Sequence, residues 1–135
     1  MATNFRQAAW DVTWDALDGN ISATLYDHVP GEAAGTPAAN KPYAVLENTA
    51  TTPWDDDSHR GAEAEMTIHV FSDALGRDEA DSILDAIRAL LDRASLTKAG
   101  YTFVDCLFQF SEVFTMEDGK TRHGITRFLI TLQEA

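Results

Sequence analysis

Cysteine and long apolar runs are both scarce in this chain, and each shortage restricts what it can be. Cys106 is the only cysteine among 135 residues, so neither an intrachain disulfide nor a four-cysteine metal site can form. We therefore expect a reducing compartment, the cytoplasm. No run of about 18 apolar residues occurs, and Asp11 and two tryptophans stand where a signal peptide needs an uninterrupted apolar stretch. We expect a chain that neither enters a membrane nor is exported by that route.

Positive charge is scarce as well. Lysine and arginine number 10 against 22 aspartates and glutamates, which leaves a formal charge of −12 at pH 7. Tight binding to a phosphate backbone depends on lysine and arginine displacing counterions, so this balance disfavours a nucleic-acid ligand. Hydrophobic residues nevertheless make up 44% of the chain, which predicts a folded protein with a buried core. The length predicts a single domain over residues 1–135.

Motifs that carry catalysis are also lacking. The sequence has no glycine-rich phosphate loop, no serine elbow and no His-Glu-x-x-His pair. Cys106 lies among apolar residues with no histidine close in sequence, so we expect a small buried side chain rather than a nucleophile. His69 and His123 occupy positions that should face solvent. We therefore predict that the chain is not an enzyme and needs no cofactor and no catalytic metal.

Apolar periodicity predicts seven elements along the chain. They are a helix over residues 5–17 with Asn4 as its N-cap, strands at Ile21–Val29, Tyr43–Asn48 and Ala64–Val70, a helix whose apolar face runs from Ala80 to Ala94, a strand at Val104–Phe114, and a strand over residues 122–132. Asp118-Gly119 predicts a hairpin between the last two strands. The last strand has apolar residues at both odd- and even-numbered positions, so both of its faces should be buried and the strand should be central in the sheet. This order predicts an α+β fold, in which a mostly antiparallel β-sheet packs against two helices as a two-layer sandwich.

A polar loop is predicted over residues 49–61, and it concentrates charge. Trp54, Asp55, Asp56, Asp57 and Arg60 all lie within it. A calcium-loop template fails in both registers, because one puts Arg60 at the required glycine and the other lacks the final bidentate acid. Zinc ligands occur at no recognised spacing. Three interpretations of this loop remain: a solvated loop, a metal site and an interaction surface. We predict that the loop is mobile until a partner orders it.

The first helix carries two apolar stripes. One contains Phe5, Ala8 and Val12, and the other contains Trp10, Trp14 and Leu17, which we place on the opposite side of the helix. Exposed tryptophans are costly unless something covers them. The second stripe either packs on the sheet edge or under the connection Pro30–Lys41, or it is buried against another subunit.

A series of short motifs resembles the tail completion (tail terminator) proteins of long-tailed bacteriophages and gene transfer agents. The resemblance runs from about Leu25 to Leu132, in matching order and spacing. Its motifs are Tyr26–Pro30, Pro42–Leu46, Arg60-Gly61, Met66–Ser72, Gly76–Ala80, Asp118-Gly119, His123-Gly124 and Arg127-Phe128. The alanine-rich stretch between Gly31 and Lys41 and the double tryptophan of the first helix depart from the family's pattern.

The resemblance implies a structural virion protein. Such a protein assembles as a homo-oligomer, expected to be a hexameric ring, which caps the tail tube, ends tube polymerisation and forms the tail-side face of the head-tail junction. Its partners would be the tail tube protein and the head-tail connector protein, and DNA would pass through the channel without specific binding. It would reside in the virion and, during assembly, in the host cytoplasm. A head-completion or neck connector protein and a small-molecule-binding α+β domain remain alternatives. The residues assigned to a subunit or partner interface are Trp10, Trp14, Leu17, Trp54, Asp55, Asp56, Asp57 and Arg60.

Overall fold

The computed structural model describes residues 4–29, 41–74 and 76–135, and its elements follow the predicted order. They are α1 (Phe5–Leu17), β1 (Thr24–Tyr26), β2 (Tyr43–Pro53), β3 (Gly61–Ser72), α2 (Asp78–Leu91), β4 (Tyr101–Thr115) and β5 (Arg122–Glu134). The predicted connection over Pro30–Lys41 lies outside the described residues except for its last residue. Neither described helix is long and apolar enough to cross a membrane.

Local sequence accounts for both helices. The Asn4 side chain accepts a hydrogen bond from the Gln7 backbone N–H at 3.0 Å, which caps the N-terminus of α1 as predicted. The first turn of α2 carries three carboxylates and its last turn carries Arg88, an arrangement that favours the helix dipole at both ends. The apolar residues of α2 recur at helical spacing, and five of them are buried: Ala80, Ile83, Leu84, Ile87 and Leu91.

The five strands form one mixed sheet in the order β1-β2-β3-β5-β4. β1 runs parallel to β2, and every other neighbouring pair is antiparallel. β5 lies between β3 and β4, so the prediction of a central last strand is confirmed. The α+β class and the mostly antiparallel sheet packed against two helices are confirmed as well.

The core lies between the two helices and one face of the sheet. The side chains of this face come from even-numbered positions of β2, β3 and β5 and are almost completely buried: Ala44, Leu46, Ala62, Ala64, Met66, Ile68, Val70, Phe128, Ile130 and Leu132. α2 approaches β5 closely, because a Cβ atom at Gly124 would lie 3.0 Å from a methyl group of Leu84. The odd-numbered positions of β3 and β5 lie on the opposite face, which we call the open face because neither helix covers it.

Several predicted element boundaries differ from the structure. β1 is only three residues long, β2 continues to Pro53, and β3 begins at Gly61. The loop between β2 and β3 is therefore residues 54–60 rather than 49–61. α2 ends at Leu91, so Ala94 lies beyond the helix.

The alternating pattern of this strand predicts one apolar side that contains Val104, Cys106, Phe108, Phe110 and Phe114. For β4 this prediction is wrong. Irregularities between Phe103 and Asp105 and between Phe108 and Phe110 interrupt the pairing of β4 with β5. Each adds a residue that the partner strand does not match and so reverses the side-chain parity. Cys106 is fully buried, whereas Val104 is 47% and Phe114 44% exposed.

Candidate functional site

The loop 54–60, called the acidic loop here, is organised by its own carboxylates. Asp56 Oδ1 accepts hydrogen bonds from the backbone N–H groups of Ser58 and His59 at 2.8 and 2.6 Å, and Asp55 Oδ1 accepts one from Gly61 at 2.9 Å. These backbone donors, Ser58 first, lower the pKa of Asp56. Two of the three predicted carboxylates therefore shape the hairpin. The acidic loop thus has three hydrogen bonds of its own within the subunit. Its further ordering by a partner stays a prediction.

The remaining predicted residues of the acidic loop point to solvent. Trp54 is 40% exposed, and Asp57 and Arg60 are exposed too. The Arg60 backbone N–H donates to Glu134 Oε1 at 3.1 Å, which ties the loop to the end of β5. Across residues 4–29, 41–74 and 76–135, no group of three or more His, Cys, Asp or Glu side chains is placed to hold a metal ion.

The two tryptophans of α1 form a stacked pair. The ring centroids of Trp10 and Trp14 are 6.1 Å apart and the rings are inclined by 16°, with both side chains partly exposed. The pair lines a cleft of about 370 Å³ together with Asp11, Asp15, Asp27 and Lys98. No hydrogen bond or ring contact joins this pair to the acidic loop in the described part of the chain. The structure therefore shows no direct contact between the two groups of predicted interface residues within the described residues.

Leu17 does not share the outward stripe, and this part of the prediction is wrong. It is fully buried in the subunit's own core, as is Thr13. At about 100° per residue, Leu17 lies only about 40° from Thr13 around the helix, so it belongs to the edge of the buried face. The Thr13 hydroxyl donates to the Ala9 carbonyl at 2.7 Å, which lets a polar residue widen that face.

A row of aromatic rings crosses the open face, and the sequence patterns did not reveal it. Each of the five strands contributes one ring, and consecutive centroids are 6.0, 4.9, 4.4 and 4.7 Å apart: Tyr26, Tyr43, Phe71, His123 and Phe114. We call these residues the aromatic row. Strand register brings into contact rings that are as distant in sequence as Phe71 and His123, so no local pattern could have indicated the row. Such stacked and tilted ring pairs stabilise neighbouring strands.

Two histidines predicted to be separate surface residues are in contact, and one of them, His123, belongs to the aromatic row. His69 Nδ1 lies 2.9 Å from His123 Nε2, and His69 Nε2 lies 3.0 Å from Glu47 Oε2. Burial, and then the charge of His69, lower the pKa of His123 to about 4. His123 is therefore neutral at physiological pH, and its imidazole ring stacks on the ring of Phe71.

The rest of the open face carries both polar and apolar side chains, and the polar ones include Glu63, Glu65, Thr67, Thr131 and Gln133. Arg127 Nε lies 3.4 Å from Glu65 Oε1, and its guanidinium carbon is 4.9 Å from the centroid of the Phe110 ring. Ile125 and Leu129 flank it on the same strand and are half-buried. A broad, partly apolar face of this kind is typical of a contact surface.

Comparisons with known proteins all point in one direction. A family model described as tail completion protein gp17 matches residues 13–133. The tail completion protein gp17 of Bacillus phage SPP1 is 32% identical over 91 residues, which cover 67% of each chain. A chain of the virion of a native gene transfer agent particle has a similar fold, with a TM-score of 0.80 and 20% identity over 98% of this chain and 99% of that one. The solved structure of SPP1 gp17 gives a TM-score of 0.59 and 24% identity over 93% and 89%.

Proposed function

Because the chain belongs to the tail completion protein gp17 family, we propose that this structural virion protein caps the tail tube as a homo-oligomeric ring of six copies. The ring ends tube polymerisation and forms the tail-side face of the head-tail junction. Its role is assembly and not catalysis. The tail tube protein and the head-tail connector protein are its neighbours.

The open face is the observation that carries the proposal. In a closed ring of identical subunits, each copy presents one surface to the neighbour on one side and a different surface to the neighbour on the other. The open face carries the half-buried apolar side chains Ile125 and Leu129, and neither helix covers it. Burying it against the next copy removes apolar area from water, which is the main driving force for stable association.

The charge of the chain fits a channel that DNA crosses. Each copy adds a charge of −12, and a negatively charged wall repels a duplex that must slide past it. Repulsion between copies opposes ring closure, so apolar contacts have to supply the attraction. DNA passes through such a ring without specific binding.

Oligomeric mass tests the ring directly. Native mass spectrometry of the purified protein, alone and with tail tubes, should show six copies, and negative-stain images should show one ring at the tube end. Leu129→Asp places a charge on the open face and should abolish the ring. Ser95→Asp adds the same charge at an exposed position of the α2–β4 connection and serves as the matched control.

Two outcomes would contradict the proposal. If Leu129→Asp assembles like Ser95→Asp, the open face is not a subunit contact. Binding of the protein to the portal side of heads, without binding to tail tubes, would favour a head-completion or neck connector protein instead.

A further inference from the structure

The cleft beside the stacked tryptophans combines features that suit one kind of occupant. The stacked pair Trp10 and Trp14 lines it together with three carboxylates. Asp11 and Asp15 come from α1, whereas Asp27 comes from the segment after β1. Aromatic ring faces attract cations electrostatically, and adjacent carboxylates add a second attraction of the same sign.

One lysine of the chain already uses part of this arrangement. Lys98 Nζ lies 3.0 Å from Asp11 Oδ2, and Gln7 donates to the other oxygen of the same carboxylate at 2.8 Å. Asp11 is therefore satisfied within the subunit. Asp15 and Asp27 are exposed and make no side-chain hydrogen bond or ion pair within the described residues.

Cations over aromatic rings also occur elsewhere in this protein. The guanidinium carbon of Arg88 lies 3.9 Å from the centroid of the Phe108 ring, and that of Arg127 lies 4.9 Å from the centroid of the Phe110 ring. Both arginines combine a ring with a carboxylate, Asp92 for Arg88 and Glu65 for Arg127. The cleft lined by Trp10 and Trp14, which we call the α1 cleft, offers the same combination of ring and carboxylate, and two of its carboxylates, Asp15 and Asp27, make no ion pair within the described residues.

We propose that the α1 cleft docks an arginine or lysine side chain presented by a different protein of the virion tail, with the Trp10–Trp14 pair as its platform and Asp15 and Asp27 as its counter-ions. Charge complementarity selects this occupant, because the exposed carboxylates of Asp15 and Asp27 lie in the same cleft as the stacked rings and attract a cationic side chain. The identity of the partner as a tail protein rests on the proposed function. The cleft's preference for a cationic side chain does not.

A peptide experiment tests the cleft without any virion component. The probe is an eight-residue peptide in which arginine alternates with glycine, and its control is the same peptide with citrulline, a neutral isostere, in place of arginine. Calorimetry should detect binding of the arginine peptide, and raising sodium chloride should weaken that binding. Trp10→Leu and Asp27→Asn should each weaken it by roughly 3- to 30-fold. Asp57→Asn, which removes the same charge from the acidic loop, should change it less than about twofold.

Each contrary outcome overturns a defined part of the proposal. Equal binding of the citrulline peptide would show that the cleft does not select a cation, and an equal effect of Asp57→Asn would show that only net charge matters. A complete lack of arginine-peptide binding would overturn the docking site itself. If Trp10→Leu reduced the oligomeric mass and left peptide binding unchanged, the occupant would be a second copy of this chain. Capping of tail tubes that persists in any of these cases would leave the proposed function standing.

Discussion

Replacing His123 with phenylalanine should reduce the dependence of stability on pH in one defined window. In the folded chain the pKa of His123 is about 4, against an ordinary value of 6.5, because burial and then the charge of His69 disfavour its protonated form. Between these two values the unfolded chain holds a proton that the folded chain lacks. The free energy of unfolding therefore falls as the pH falls through this window.

The size of the effect follows from proton linkage. One proton of difference gives a slope of at most about 1.4 kcal/mol per pH unit. The side chain is only partly buried, so after a discount for solvent screening we expect about 1–2 kcal/mol over the whole window. Above the ordinary pKa the contribution is constant, and below about pH 4 both states are protonated and it levels off. The pKa of Asp118 is lowered to about 2, chiefly by the Thr121 side chain, so the stability that this carboxylate adds is lost only at lower pH.

Urea unfolding at several pH values between about 7 and 4 measures this slope. His123→Phe keeps a ring stacked on Phe71 and removes the titrating group, so its unfolding free energy should fall less steeply than that of the original chain. His28→Gln removes an exposed histidine outside the His69–His123 contact and should retain the original slope. Identical slopes for the original chain and His123→Phe would refute the reasoning, since the proton taken up on unfolding would then belong to other groups.

Three further expectations concern the hairpin formed by β2 and β3, the ring and the acidic loop. Gly61→Ala should lower the free energy of unfolding by about 1–3 kcal/mol, because a Cβ atom there would overlap the Trp54 carbonyl oxygen. Thermal melts should show this loss for Gly61→Ala and no such loss for Thr52→Ala, which changes an exposed residue. A Gly61→Ala variant as stable as the original chain would contradict the packing argument. Raising sodium chloride should favour ring assembly, since it screens repulsion between acidic copies, and dissociation of the ring by salt would instead indicate intersubunit ion pairs. Hydrogen exchange of residues 54–60 should slow when subunits or tubes are bound; rates that are equally slow before and after binding would argue against ordering of the loop on contact.

Several features of this protein could be predicted because they depend on neighbours in sequence. The helix at Phe5–Leu17 has the predicted bounds and the predicted Asn4 cap. The apolar face of α2 follows helical periodicity, and the Asp118-Gly119 turn lies between two paired strands. The family, too, could be identified from short motifs. For the helices and the turn, the interactions that determine the structure span only a few residues.

The predictions that the structure contradicts, for Leu17, β4 and β2, concern features that depend on residues distant in sequence. Leu17 was placed on the outer stripe because periodicity does not show how wide the buried face of a helix is, and that width depends on the sheet beneath it. The stripe of β4 failed because two pairing irregularities, which arise between strands, changed its parity. β2 was predicted too short because its last residues are polar, and pairing with β3 keeps them extended.

The composition of the candidate surfaces can be taken from the sequence alone, whereas their arrangement depends on the tertiary fold. The net charge of −12, the two tryptophans of α1 and the three consecutive aspartates of the acidic loop are properties of the sequence. The aromatic row, the contact between His69 and His123, and the placement of Asp27 beside α1 are not. They join residues that are distant along the chain, and their geometry is set by strand register and helix packing, which depend on the whole core at once.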